Sequence, residues 1–208
     1  TVNITATASE AVVSGNTITV TLDTSDNVSL TAAANGTTLV GTYTVSSADT
    51  SSDLTVNSFS IGTVTDSAGN AMTSTAVPAT NIATGSAIVI DTTAPTVISF
   101  TSSSDDGLYD DKPGTNNVNI TATASEAVVS GNTITVTLDT GATVVLTAPA
   151  NGTTLVGTYT VVAGNNSSDL TVSSFSIGTV TDSAGNAMSS NTLPATNIDT
   201  DSDIVIST

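Results

Sequence analysis

Sixteen Asp and two Glu stand against one basic side chain, Lys112, and the chain has no Arg, His or Cys. Carboxylates held close without a counter-charge must be protonated, solvated apart or neutralised by a cation, and a hard divalent ion is the expected partner of clustered oxygens at pH 7. Ca2+ is therefore the cofactor to which the composition points. Two acidic groups are dense enough to be sites in their own right. Asp199, Asp201 and Asp203 form an Asp-x-Asp-x-Asp run, and in an extended segment alternate residues present their carboxylates to one side. Asp105, Asp106, Asp110 and Asp111 make the densest stretch. The plainer reading of the first run is a solvated acidic loop, and of the second a pair of turns, with Lys112 pairing weakly at the surface.

The same inventory removes most catalytic chemistry. Without His or Cys, and with Lys112 in a polar Asp-Asp-Lys-Pro-Gly stretch, Ser/His, Cys/His and Schiff-base mechanisms lack their activating groups. A carboxylate-pair glycosidase needs aromatic residues to hold its sugar, and there is no Trp and only three Tyr and three Phe. The chain is therefore not expected to be an enzyme. With a net charge of -17, anionic membrane surfaces are expected to be poor partners and nucleic acid no partner, because each phosphate contact needs a Lys or Arg. No apolar run approaches the roughly 18 residues needed to span a bilayer, so direct membrane insertion is not expected. The Thr-, Ser- and Val-rich composition, pI near 4.1 and lack of disulfides read as a mature, exported surface protein.

These residues sit on a tandem repeat. Val2-Asn3-Ile4-Thr5-Ala6-Thr7-Ala8-Ser9-Glu10 returns at Val118–Glu126, an offset of 116, and residues 1–92 match residues 117–208 without a gap at 72 positions. That period is too long for a solenoid unit and suits one autonomous domain. The expected boundaries are 1–91 for a repeat lacking its first strand and 92–208 for a complete one. The counterpart of residues 93–116 is not found ahead of Thr1, so that strand is expected either to have been cut away or to be supplied by another chain.

The elements are strands. Ile18, Val20 and Leu22 alternate with Thr17, Thr19 and Thr21, a period of two, and Thr suits an outward strand position. No 3.6-residue apolar stripe persists, so no helix is expected. The second repeat reads as strands near 97–101, 118–124, 133–138, 143–147, 154–161, 170–180 and 204–207. Leu170 and Val172 share one phase and Phe175 and Ile177 the other, which predicts a bulge in the sixth strand. Seven short antiparallel strands in this length predict an all-β chain of tandem immunoglobulin-like, cadherin-like antiparallel β-sandwiches.

Four motifs occur in order: Ile88-Val89-Ile90-Asp91-Thr92-Thr93-Ala94-Pro95, Asp105-Asp106-Gly107-Leu108-Tyr109, Ser125-Glu126-Ala127-Val128 and Asp182-Ser183-Ala184-Gly185-Asn186. They resemble the bacterial immunoglobulin-like repeats of giant surface adhesins, including biofilm-associated proteins and the extender regions of calcium-dependent RTX adhesins. The resemblance implies a structural extender on the bacterial cell surface, made of neighbouring identical repeats that stiffen when calcium binds between them. One departure is that Asp91 becomes Ser207 in the second copy.

In an immunoglobulin-like sandwich the chain enters at the end carrying the second–third and sixth–seventh strand loops. Asp91 is therefore expected to approach Glu126, Asp182 and Asn186, gathering oxygens from distant positions as a six- to eight-coordinate calcium site requires. Asp182-Ser183-Ala184-Gly185-Asn186 also reads as a simple turn. Glu10, Asp66 and Asn70 repeat the set in the first copy. The 105–111 acids are expected at the opposite end of the domain. A different function, an adhesive or self-associating module that binds glycan or other copies of itself by strand donation, stays open at this stage.

Overall fold

A computed structural model describes residues 1–208. The chain forms two compact units, Thr1–Thr93 and Ala94–Thr208. The regular structure is almost entirely β-strand, and the ladders are antiparallel with one exception.

The second unit contains β6 (Val97–Ser102), β7 (Gly107–Tyr109), β8 (Asn117–Val128), β9 (Thr133–Leu138), β10 (Thr143–Thr147), β11 (Gly152–Thr160), β12 (Asn166–Ser167), β13 (Val172–Ile177) and β14 (Ile204–Ser207). One six-stranded sheet runs β13-β9-β10-β11-β8-β6, and a three-stranded sheet runs β12-β14-β7. Strand β9 shows why these residues choose this state. Ile134, Val136 and Leu138 are buried while the intervening Thr residues stay half-exposed, which suits a pleat with one wet face. The smaller sheet adds Ile204 and Ile206 to the same core, so two layers close over one apolar interior. Phe100 and Phe175 meet edge to face in it, with ring centroids 5.5 Å apart.

The sixth strand is shorter than the sequence suggests. Its register shifts between Val172 and Ser174, so that Val172 and Phe175 both face the core across the predicted bulge. The last strand does not continue the sheet beside β13. It pairs antiparallel with β12 and parallel with β7, a three-residue strand inside the acidic 105–111 segment that periodicity cannot reveal.

The first unit contains β1 (Val2–Val12), β2 (Thr17–Leu22), β3 (Asn27–Thr31), β4 (Gly36–Tyr43) and β5 (Val56–Ile61) in a sheet of order β1-β4-β3-β2-β5. Its second layer is the segment around Ser51–Leu54 laid against Ile88–Ile90. Ser51 and Ile90 exchange backbone hydrogen bonds of 2.8 Å, and Leu54 is fully buried. Nothing here corresponds to β6, so β1 is a sheet edge.

The expectation of no helix needs correction. Ile82–Gly85 (α1) and Ile198–Asp201 (α2) each wind one helical turn. Asn81 and Asn197 cap these turns reciprocally with Thr84 and Thr200. Each Asn also bonds a strand backbone: Asn197 Nδ2 donates to the Val172 carbonyl at 2.9 Å, and the Val172 N–H donates to Asn197 Oδ1 at 3.1 Å. Four residues are too few to leave a periodic trace. No helix is long and apolar enough to cross a membrane.

Candidate metal centre

Asp182 sits in a tight turn that its own sequence builds. Its N–H donates to the Asn186 carbonyl, and Gly185 supplies the positive φ of 95° that closes the loop. The Asn186 N–H donates to Asp182 Oδ1 at 2.8 Å, and Asn186 Nδ2 donates to Oδ2 at 2.7 Å. The side chain is 3% exposed. Burial pushes its pKa up, but the Asn186 side chain and backbone and the Gly185 and Ala184 N–H groups outweigh it and hold the carboxyl below its ordinary 3.8. It is a buried carboxylate kept ionised by neutral donors alone.

Glu126 is brought beside it by β8. The sequence places Glu126 in a loop, whereas it lies inside the strand, in the irregular stretch where the β8–β11 register shifts between Thr123 and Val128. A bulge of this kind re-aims a side chain. On one side Ser125 is fastened to Thr96, its N–H donating to the Thr96 carbonyl and its Oγ accepting from the Thr96 N–H. On the other, Val128 bridges to Asp182, and the Val129 N–H donates to the Thr181 carbonyl. A carboxylate oxygen of Glu126 and one of Asp182 consequently lie within 4.8 Å of each other. Two oxygens bound to one calcium at 2.3–2.6 Å are at most about 5 Å apart, so this pair fits a shared ion. Asn186 turns its amide nitrogen to Asp182 and so acts as a clasp on that carboxylate.

The first unit repeats the turn. The Asn70 N–H donates to Asp66 Oδ1 at 2.8 Å and Asn70 Nδ2 to Oδ2 at 2.7 Å, and the Ala68 N–H adds a third bond. These donors, the Asn70 side chain foremost, hold the Asp66 carboxyl low. Asp66 is half-buried and Glu10 exposed. Asp91 lies three residues ahead of Ala94, and its Oδ1 accepts from the Thr93 N–H at 3.0 Å.

The other acids are arranged differently from the expectation. Asp199 and Asp201 sit in the α2 turn, not in an extended run, so their side chains do not line up with that of Asp203. Asn197 and Thr200 close the turn and override the alternation, and both acids are exposed at a place where the turn's free N–H groups favour negative charge. Asp203 instead meets the 105–111 segment, which the sequence reading sets apart from it: its N–H donates to Asp106 Oδ1 at 3.0 Å, and the Gly107 N–H donates to its carbonyl. Pairing of β7 with β14 brings them together. Asp105 and Asp111 are exposed. Asp110 already has its counter-charge: it is ion-paired with Lys112 and accepts from Thr115 Oγ1, and these contacts lower its pKa to about 2.

Two acids that carry no motif turn out to be structural. Asp139 accepts from Ser167 Oγ at 2.6 Å and from the Thr171 N–H, and Asp23 makes the same contacts with Ser51 and Thr55. Their recurrence at the repeat offset is the only trace of this in the sequence.

No protein-family model and no curated protein matches the chain. Among solved structures, it is similar to a Ca2+-stabilised adhesin that helps an Antarctic bacterium reach out and bind ice, with 20% identity and a TM-score of 0.32. The alignment covers 99% of this chain and 43% of that one, so the chain spans less than half the length of the protein it matches.

Proposed function

We propose that the chain is a pair of extender repeats of a bacterial extracellular adhesin, without catalytic activity, rigidified by calcium at the junction of the units. The observation that carries this reading is the ionised, buried Asp182 beside Glu126 in a chain whose only basic side chain, Lys112, is engaged by Asp110. Two carboxylates brought this close repel each other, and a hard divalent ion suits them. Asp91 is the proposed third ligand. Thr96 is tied to Ser125, next to Glu126, and only four residues separate Asp91 from Thr96, so the chain itself keeps a further carboxylate within reach. A calcium held by Asp91 together with Glu126 and Asp182 would fix the linker against the second unit, and near-identical repeats joined by fixed linkers make a rod with reach as its function. Duplication that keeps 72 of 92 positions supports the spacer role, since copying lengthens a spacer. The cell surface, where millimolar calcium is available, is the compartment this design requires.

The test is a thermal melt with small-angle scattering in excess chelator and in about 10 mM calcium, above the dissociation constants of extracellular calcium modules. The melting temperature and the maximum particle dimension are expected to rise together. In Glu126→Gln/Asp182→Asn the calcium response is expected to fall to that of the remaining sites. A wild-type chain indifferent to calcium in both measurements sinks the proposal.

A further inference from the structure

Gly follows Asn at two places in the chain, Asn35-Gly36 and Asn151-Gly152, and every other Asn is followed by a residue with a Cβ. Gly lets another group come close to its backbone. Here the group is the preceding side chain, because a bond from the Gly nitrogen to the Asn Cγ closes a five-membered succinimide ring.

The fold prepares both carboxamides for this attack. The Ser14 N–H donates to Asn35 Oδ1 at 2.8 Å, and the Ser130 N–H donates to Asn151 Oδ1 at 2.8 Å. Each Ser is the second residue of a tight turn. The Asn16 N–H donates to the Val13 carbonyl and the Asn132 N–H to the Val129 carbonyl, with Gly15 and Gly131 in the third position at φ 85° and 83°. A fixed backbone donor is thus aimed at the oxygen on which negative charge develops when Cγ is attacked, as in an oxyanion hole. The bond engages that oxygen and not the amide nitrogen, which must leave, and both asparagines are exposed to the water that protonates the leaving group. The nucleophile is accessible as well. Gly36 and Gly152 are the first residues of β4 and β11, each cut off from the regular ladder by a register shift. A Cβ built on either would meet nothing within 4 Å.

We propose that Asn35 and Asn151 are self-modification sites that deamidate, with the chain's own backbone as nucleophile and water as the second reactant. The Gly152 nitrogen gives its proton to solvent and bonds to Asn151 Cγ. The Cγ–Nδ2 bond then breaks, and the amide takes up a proton and leaves as ammonia. Water opens the succinimide at the Cγ carbonyl to give aspartate, or at the backbone carbonyl to give isoaspartate. Asn35 and Gly36 react in the same way. Each event adds a negative charge to a chain already at -17. The isoaspartyl product also lengthens the backbone by a methylene next to Gly152, whose partner Val128 bridges to Asp182.

The experiment keeps the full 208-residue chain in warm, mildly alkaline buffer and follows peptic fragments by mass spectrometry, with the synthetic peptide Thr147–Thr153 as the unrestrained reference. Asn35 and Asn151 are expected to convert before any other Asn, to both acid products, and no more slowly than the peptide. Gly152→Ala, for which there is space, is expected to stop conversion at Asn151 and not at Asn35. Ser130→Pro suits the second position of its turn and removes the N–H donor. It is expected to slow Asn151 at least about tenfold, Asn35 in the same molecule being the internal control. Ser130→Ala, which loses only the hydroxyl, should keep the wild-type rate. Ser14→Pro gives the same reading at Asn35 if the other Pro variant does not fold. The proposal is overturned if both asparagines stay intact while the peptide converts, or if another Asn converts first. It is overturned also if a Pro variant that melts with wild type converts as fast or faster, because the Ser N–H would then be a restraint that protects the amide.

Discussion

Asp182 and Asp66 are the same residue in two copies, held by the same asparagine clasp, and both carboxyls titrate below their ordinary 3.8. A carboxyl with a lowered pKa in the folded state stabilises the fold above its unfolded pKa, and that contribution is lost as pH falls through the folded value. In chelator, the stability of wild type relative to Asp182→Asn should therefore be level from neutral pH down to about 5 and should fall below about 4. A relative stability that rises on acidification would contradict the depressed pKa. Backbone strain offers a second residue-scale test. Ala48 has φ 80° where the other copy has Gly164 at φ 93°. A non-Gly residue in that region costs roughly 1–2 kcal/mol, partly offset by the greater freedom of Gly in the unfolded chain. Ala48→Gly should stabilise the first unit by up to about 1 kcal/mol, seen as a later midpoint in urea.

At the scale of elements, the strands are packed to tolerances that single atoms can test. A Cβ on Gly157 would meet the Val145 carbonyl oxygen at 2.5 Å and Leu146 Cδ2 at 2.7 Å, while one on Gly152 would meet nothing within 4 Å. Gly157→Ala should destabilise the second unit by about 1–3 kcal/mol, and Gly152→Ala should be close to neutral in the same denaturation experiment. Strand β6 is the other element with a large expected effect. Phe100 is fully buried, so Phe100→Ala should cost the second unit about 3–5 kcal/mol. The first unit, which has no such strand, should keep its own transition.

For the whole molecule, charge and coverage decide stability. A net charge of -17 opposes compaction, and the first unit has the less covered core. In chelator, urea is expected to unfold the first unit before the second, in two resolved transitions. Sodium chloride should raise both midpoints by screening. Calcium should raise the melting temperature well beyond sodium chloride at matched ionic strength, because a site filled at ten times its dissociation constant adds about 1.4 kcal/mol. Equal responses to the two salts would reduce the calcium effect to screening.

Much of this was legible in the sequence because it is periodic or local. The alternation of Ile134, Val136 and Leu138 with Thr dictates a half-buried strand. The phase change between Val172 and Phe175 dictates a bulge, and Asp182 with Gly185 and Asn186 dictates a turn. What required the fold was every relation between distant segments. That β14 leaves the main sheet and pairs in parallel with β7, joining Asp203 to Asp106, follows from layer packing and not from any pattern in either segment. Helical turns of four residues overrode the alternation of Asp199, Asp201 and Asp203, because Asn197 and Thr200 close a local hydrogen-bonded ring that spacing alone does not announce. Glu126 lies next to Asp182 because β8 bulges and Val128 bridges to the turn. Composition could say that the carboxylates lack counter-charges, and only the tertiary structure could say which two are held together, since proximity across 56 residues of chain is a property of packing.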